Sequence, residues 1–316
     1  MYLEAGKRGL NDAWRYILGI IIVFGGYFIG QIPLIIVPLI KMQKDKNLGT
    51  EALKEFEKTM DFTIFGIDKN VGFILLILMF VFALIALYIV VTKMHNKVFK
   101  DLIAPNRNVN YHKVAFGFIL WLILSVGAEL VFYFLHPETY TFSFNFSSFI
   151  PLFLISFFIL PIQTSFEEFF FRGYIMQGLS NSTTWRWLPI VLSSLAFGLM
   201  HSLNPEVAKF GFLTMQIYYV MAGIFLAVVT VLDEGLELAL GIHAATNITG
   251  ALLFTYDGSV LQTDTLFKTS EINPGLMTLS LMIAIVVFYS IASKKYQWKK
   301  INYLFGKMNT SDENQV

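Results

Sequence analysis

Apolar residues come in long unbroken runs separated by short polar stretches, and it is the runs, not an alternation, that set the architecture. A helix that crosses a bilayer needs about 20 consecutive apolar residues. Runs of this kind occupy 14–40, 70–92, 114–136, 148–179, 187–203, 209–232, 236–256 and 275–293. They predict an all-α, polytopic membrane protein with about eight transmembrane helices. The fourth run is about 32 residues long and contains Pro161. It predicts either one tilted, kinked helix or a membrane helix running into an interfacial one. Between the first two runs, LGTEALKEFEKTM has the period of a short amphipathic helix lying on the outer surface. The expected organisation is an N-terminal arm (1–13), a single membrane domain (14–293) and a basic tail (294–316), with no internal repeat.

Composition agrees with a membrane chain. Of 316 residues 56% are hydrophobic and 14% charged, where soluble domains carry about 25% charged residues. A net charge of +1 excludes nucleic acid as an expected partner. The absence of cysteine excludes disulfides, thiolate metal sites and a cysteine nucleophile. The first apolar run is too long for a signal-peptide core and has no small-residue cleavage site, so it reads as a retained span. With an even number of spans both termini share a side. Outside the balanced loop 41–69, that side holds 14 Lys and Arg against 2 on the other, which predicts cytoplasmic termini and a multi-pass protein of the plasma membrane.

Charge is expensive in the bilayer, yet the fourth run contains FEEFFFRGY, residues 166–174. On a helix Glu168 and Arg172 are four apart and can pair, which lowers the cost of burying both. Glu167 is turned about 100° away and needs a partner from a neighbouring helix. The next run supplies His201 as its one ionisable group. Glu167 and His201 lie 16 and 18 residues from Thr183 in the intervening turn. In an antiparallel hairpin that is equal depth, so the two are expected to meet. The seventh run adds His243 and Asn247, four apart on one face, beside Gly241, Ala244, Ala245 and Gly250, which let other helices approach closely.

The ordered set EExxxR (Glu167, Glu168, Arg172), FxxxH (Phe197, His201) and HxxxN (His243, Asn247) resembles the CPBP family, the CAAX-processing and bacteriocin-processing membrane endopeptidases, which includes the type II CAAX prenyl endopeptidases. The resemblance covers about residues 110–256. It implies an endopeptidase acting on a membrane-associated peptide or lipid-anchored protein, with the first glutamate as base. It also implies a role in peptide maturation, bacteriocin self-immunity or CAAX-type processing.

The residue types suit that chemistry. Glu167 can serve as general base, His201 can hold the same water, and His243 with Asn247 can stabilise an oxyanion. Glu168 and Arg172 would hold the helix and the field around Glu167. No firm cofactor is expected. Glu167, His201 and His243 would form the ligand set if zinc were present, but HExxH is absent, as are GxSG and GxGD. A cut near the cytoplasmic face is expected. Two other readings remain open, a proton-coupled transporter in which Glu and His form a relay and a non-catalytic membrane scaffold or sensor of the same fold. Phe169–Phe171 read as lipid or helix contacts with one ring lining the substrate groove. KKYQWKK reads as a headgroup anchor, and Asp233 with Glu234 as caps of the seventh helix. The usage of Lys, Ile, Phe and Asn looks bacterial.

Overall fold

Four of the apolar runs begin their helices at a residue that the sequence marks. In the computed structural model, which describes residues 1–45 and 47–308, Asp68, Asn110, Asn145 and Asn273 each accept a hydrogen bond from a backbone N–H in the first helical turn that follows. Such a side chain satisfies a donor that the helix itself leaves unpaired. The elements in chain order are α1 (Ala13–Lys44), α2 (Thr50–Thr59), α3 (Lys69–Ile89), α4 (Tyr111–Leu135), β1 (Tyr140–Phe142), α5 (Phe146–Phe158), α6 (Leu160–Glu168), α7 (Met176–Leu179), α8 (Trp187–Met200), α9 (Pro205–Phe210), α10 (Phe212–Asp233), α11 (Glu237–Leu252), β2 (Phe254–Tyr256), β3 (Phe267–Thr269) and α12 (Pro274–Lys295).

The all-α membrane expectation holds. Among the described residues six helices are long and apolar enough to cross a membrane: 13–44, 69–94, 111–135, the composite segment 146–182, 212–233 and 274–295. The fifth and seventh runs also form helices. At 14 and 16 residues, however, α8 and α11 fall short of the about 20 residues a full span requires. The amphipathic helix expected in the first loop is α2. The fourth run is kinked, as one of its two readings required. Ile159 separates α5 from α6, Pro161 follows in the first turn of α6, and a π-helical turn, Phe169–Ile175, leads into α7.

The seventh run was expected to be helical to residue 256, but α11 stops at Leu252 and Phe254–Tyr256 is β2. There β3 pairs antiparallel with β1 and parallel with β2. The ladder gives backbone partners to loops that link α4, α11 and α12, at the end of the bundle that also carries α2 and α9.

Helices α4 and α11 cross at very short range. A Cβ on Gly241 would sit 2.1 Å from the carbonyl oxygen of Val114, and one on Gly117 would sit 2.6 Å from that of Leu238. Glycine lets the two backbones touch, and apolar dispersion replaces the hydrophobic effect that lipid cannot supply. Ala245 is fully buried near this contact, whereas Gly250 faces open space.

The N-terminal arm is a folded strap at the opposite end. Tyr2 is buried, its hydroxyl 2.6 Å from the carbonyl oxygen of Leu102 and 3.3 Å from that of Arg172. Its backbone N–H donates to Glu234. Ser180 donates to the carbonyl of Leu3, and Lys97 to that of Gly6, each at 2.7 Å. The acids expected to cap α11 do other work. Asp233 takes Lys113 at 2.9 Å and the indole N–H of Trp298 at 3.0 Å, while Glu234 receives Tyr2. The acid in the first turn of α11 is Glu237. It is bound by Arg107 and accepts the backbone N–H of Asn110 at 3.0 Å. The turn between α10 and α11 points its carboxylates at other segments of the fold, which spacing along the sequence does not reveal.

Candidate active site

Glu167 and Glu168 end α6, and Arg172 lies on the π turn that follows. Such turns are rare and recur at functional sites. The expected pair forms. Arg172 Nη1 donates to Glu168 Oε1 at 2.7 Å, with both side chains fully buried. Its Nη2 donates to the carbonyl of Gly223 on α10 at 3.2 Å. The guanidinium lies 4.3 Å from the ring centre of Phe197, and the same ring is 4.5 Å from that of His201. The FxxxH spacing on α8 therefore puts an aromatic plane between the buried cation and the imidazole.

His243 on α11 joins the two carboxylates. Its Nδ1 lies 2.7 Å from Glu168 Oε1, a bond in which the imidazole N–H donates to the carboxylate. The other nitrogen, Nε2, lies 3.6 Å from Glu167 Oε2. Glu167 Oε1 accepts Gln163 Nε2 at 3.1 Å, and Oε2 has no hydrogen-bond partner. The neighbour Glu167 needs is thus His243. Among the described residues no hydrogen bond or ion pair joins Glu167 to His201. Counting residues from the turn assumes uniform helices and ignores rotation, and the π turn lies within the counted stretch.

His201 sits just past the end of α8. Its Nδ1 is 2.8 Å from the carbonyl of Phe197, and its ring stacks on Tyr219 of α10 with centres 4.4 Å apart. Nε2 is left for a ligand. Glu167, His201, His243 and Asn247 all line one cavity of about 1400 Å³, which extends to the loops around α2, α9 and the sheet. Phe170 and Phe171 line it too, so two of the three phenylalanines face the groove.

Among the described residues no group of three His, Cys, Asp or Glu is placed to hold a metal ion. Of the two Glu167 oxygens, only Oε1 is engaged, by Gln163. Sequence reasoning missed Gln163 and Tyr219. Gln163 had a signal, being four residues before Glu167 on the same face; Tyr219 had none in its own helix.

The similarities to known proteins fall on this region. Residues 146–249 match the family described as Type II CAAX prenyl endopeptidase Rce1-like, an interval that contains Glu167, Glu168, Arg172, His201, His243 and Asn247. Over 288 residues the chain is 29% identical to the uncharacterized protein YyaK of Bacillus subtilis (strain 168), covering 90% of this chain and 93% of that one. No solved structure matches. All three motifs lie inside the matched interval, so the residues that carry the CPBP resemblance are the ones over which the chain is similar to the Rce1-like CAAX endopeptidases.

Proposed function

We propose that this chain is an intramembrane endopeptidase that hydrolyses a peptide bond of a membrane-associated peptide or protein, with Glu167 as general base. The observation that carries the reading is the unpartnered Oε2 of Glu167, 3.6 Å from His243 Nε2 and on the wall of a large, mainly apolar cavity. Water beside that oxygen gives a proton to Glu167 while its oxygen attacks the scissile carbonyl carbon. His201 Nε2 holds the same water from the other side. The carboxamide of Asn247 donates to the oxyanion of the tetrahedral intermediate. As the C–N bond breaks, the proton passes from Glu167 to the leaving amine, directly or across His243.

Glu168 and Arg172 position His243. With Nδ1–H given to Glu168, Nε2 is the His243 nitrogen that faces Glu167 and the scissile bond, where in its protonated form it donates to the oxyanion.

The basic residues on the side of the termini support a plasma-membrane protein with cytoplasmic ends. The cavity reaches the loops at the other end of the bundle. Under this orientation the cavity opens toward the face away from the cytoplasm.

The test is a cleavage assay on detergent-purified protein with a library of quenched hydrophobic peptides. Glu167→Gln is expected to lose about 10²–10⁴-fold in kcat/KM at an unchanged unfolding midpoint, and a chelator is expected to have no effect. Full turnover in Glu167→Gln would remove the proposal. Loss to the chelator restored by zinc alone would make Glu167, His201 and His243 ligands.

A further inference from the structure

The cavity contains a second buried carboxylate that the reaction above does not use. Glu206, on α9, lines the cavity and is 5% exposed. Its Oε1 accepts the backbone N–H of Val260 at 2.8 Å, and its Oε2 has no partner. A buried carboxylate with an unsatisfied oxygen is costly unless a ligand completes it. Lys209, one turn further along α9, does not serve. Its ammonium donates to the carbonyl of Asp257 and lies 5.3 Å and 5.5 Å from the ring centres of Phe210 and Tyr256.

Glu206 is joined to the catalytic region by the chain and by packing. It lies five residues after His201 in HSLNPE. Asn204 in that stretch donates to the hydroxyl of Tyr219 at 3.3 Å, and Tyr219 stacks on His201. The rest of the wall has the same sign. Among the described residues, Glu57, Glu129, Glu167, Glu206 and Glu271 line the cavity against a single lysine, Lys209, and no arginine. An apolar cavity with excess carboxylate focuses negative potential and attracts cations.

We propose that Glu206 is a specificity-determining subsite for a cationic group, a primary ammonium or a guanidinium, carried on an otherwise apolar ligand. Such a group donates to Oε2 of Glu206 while its apolar body fills the cavity toward His201. Burial pushes the Glu206 carboxyl above its ordinary range, partly countered by the Val260 N–H. A bound cation pulls it back down, so binding is tightest where the ligand is protonated and Glu206 ionised. On the endopeptidase reading the subsite selects substrates with Lys or Arg near the cut; the binding itself does not require that reading.

The experiment compares dodecylamine with dodecanol as probes on the full-length chain in detergent, at pH 7.5, in parent, Glu206→Gln and Glu57→Gln protein. Both probes have the same apolar chain, so their ratio isolates the charge. The parent is expected to bind the amine about tenfold tighter, the measure of one added charge-assisted contact. Glu206→Gln is expected to bring amine affinity down to that of the alcohol with alcohol affinity unchanged. Glu57→Gln, at the exposed edge, is expected to keep the preference. Equal affinities in the parent overturn the proposal without any variant, and so does a preference that survives Glu206→Gln. The same measurement on Glu167→Gln reads the subsite without turnover, and a parent chain that cleaves no peptide yet keeps the amine preference removes only the endopeptidase reading.

Discussion

Two donors from different parts of the fold, Arg172 and His243, meet on one oxygen of Glu168, each at 2.7 Å. The ring orientation of His243 is thereby tied to a fully buried ion pair. Removing one member of such a pair leaves an uncompensated charge and costs about 3–5 kcal/mol, whereas replacing both by apolar side chains costs much less. Glu168→Met is therefore expected to unfold well below the parent, and Glu168→Met with Arg172→Met to recover most of the loss. Thermal unfolding in detergent measures both. A double variant less stable than either single one would contradict the account.

Asn247 is placed on the cavity wall one helical turn beyond His243. Asn247→Ala is expected to lower kcat by about 10²–10³-fold with little change in KM, because an oxyanion donor acts only in the transition state. Single-turnover kinetics on any cleaved peptide separate the two. A rise in KM at constant kcat would make Asn247 a ground-state binding group instead.

Lys97 lies outside the spanning helices and is buried against the strap, bonded to Gly6 and to the hydroxyl of Tyr16. Burial lowers its pKa from 10.5 to about 8, with Asp101 pulling the other way. The unfolded chain binds the proton more tightly between those values, so stability rises as pH goes from about 8 toward 10.5. Lys97→Met is expected to remove that rise, read as the difference between the unfolding midpoints of parent and variant at pH 7.5 and 10. Parallel profiles would show that Lys97 is not buried as described.

A methyl group on Gly241 would lie 2.1 Å from the Val114 carbonyl, an approach no side chain tolerates. Gly241→Ala is expected to force α4 and α11 apart and cost about 1–3 kcal/mol, while Gly250→Ala, with open space at its Cβ position, is expected to be neutral. Because α11 carries His243 and Asn247, the first change also slows cleavage. Equal unfolding midpoints would show that the helices are not in contact at this point.

Much of this was legible in the residues. Runs of apolar side chains have only one economical fate in a bilayer, so each of the eight runs contains helix, six of them long enough to span among the described residues. The Glu168–Arg172 pair followed from spacing on one helix, where geometry is fixed locally. What escaped depended on rotation or on other segments. The π turn at 169–175 leaves the hydrophobic pattern unchanged, so the approach of His243 to within 3.6 Å of Glu167 had no signal in the sequence. The three-residue strands are shorter than any periodicity can register. Tyr219 and Glu206 look like ordinary members of α10 and a loop until the fold stacks the first on His201 and puts the second on the wall of the same cavity. Asp233 and Glu234 sit where caps belong, and only the fold reveals that Lys113, Trp298 and Tyr2 claim them.

The strap also constrains the order in which this protein can be built. Tyr2 leaves the ribosome long before Glu234, its acceptor, and before Leu102 and Arg172, whose carbonyls its hydroxyl meets. The opening residues must therefore wait, solvated, until the chain has been made through α10. Their docking is a late event that latches an assembled bundle, on the same stretch of backbone that carries the buried arginine.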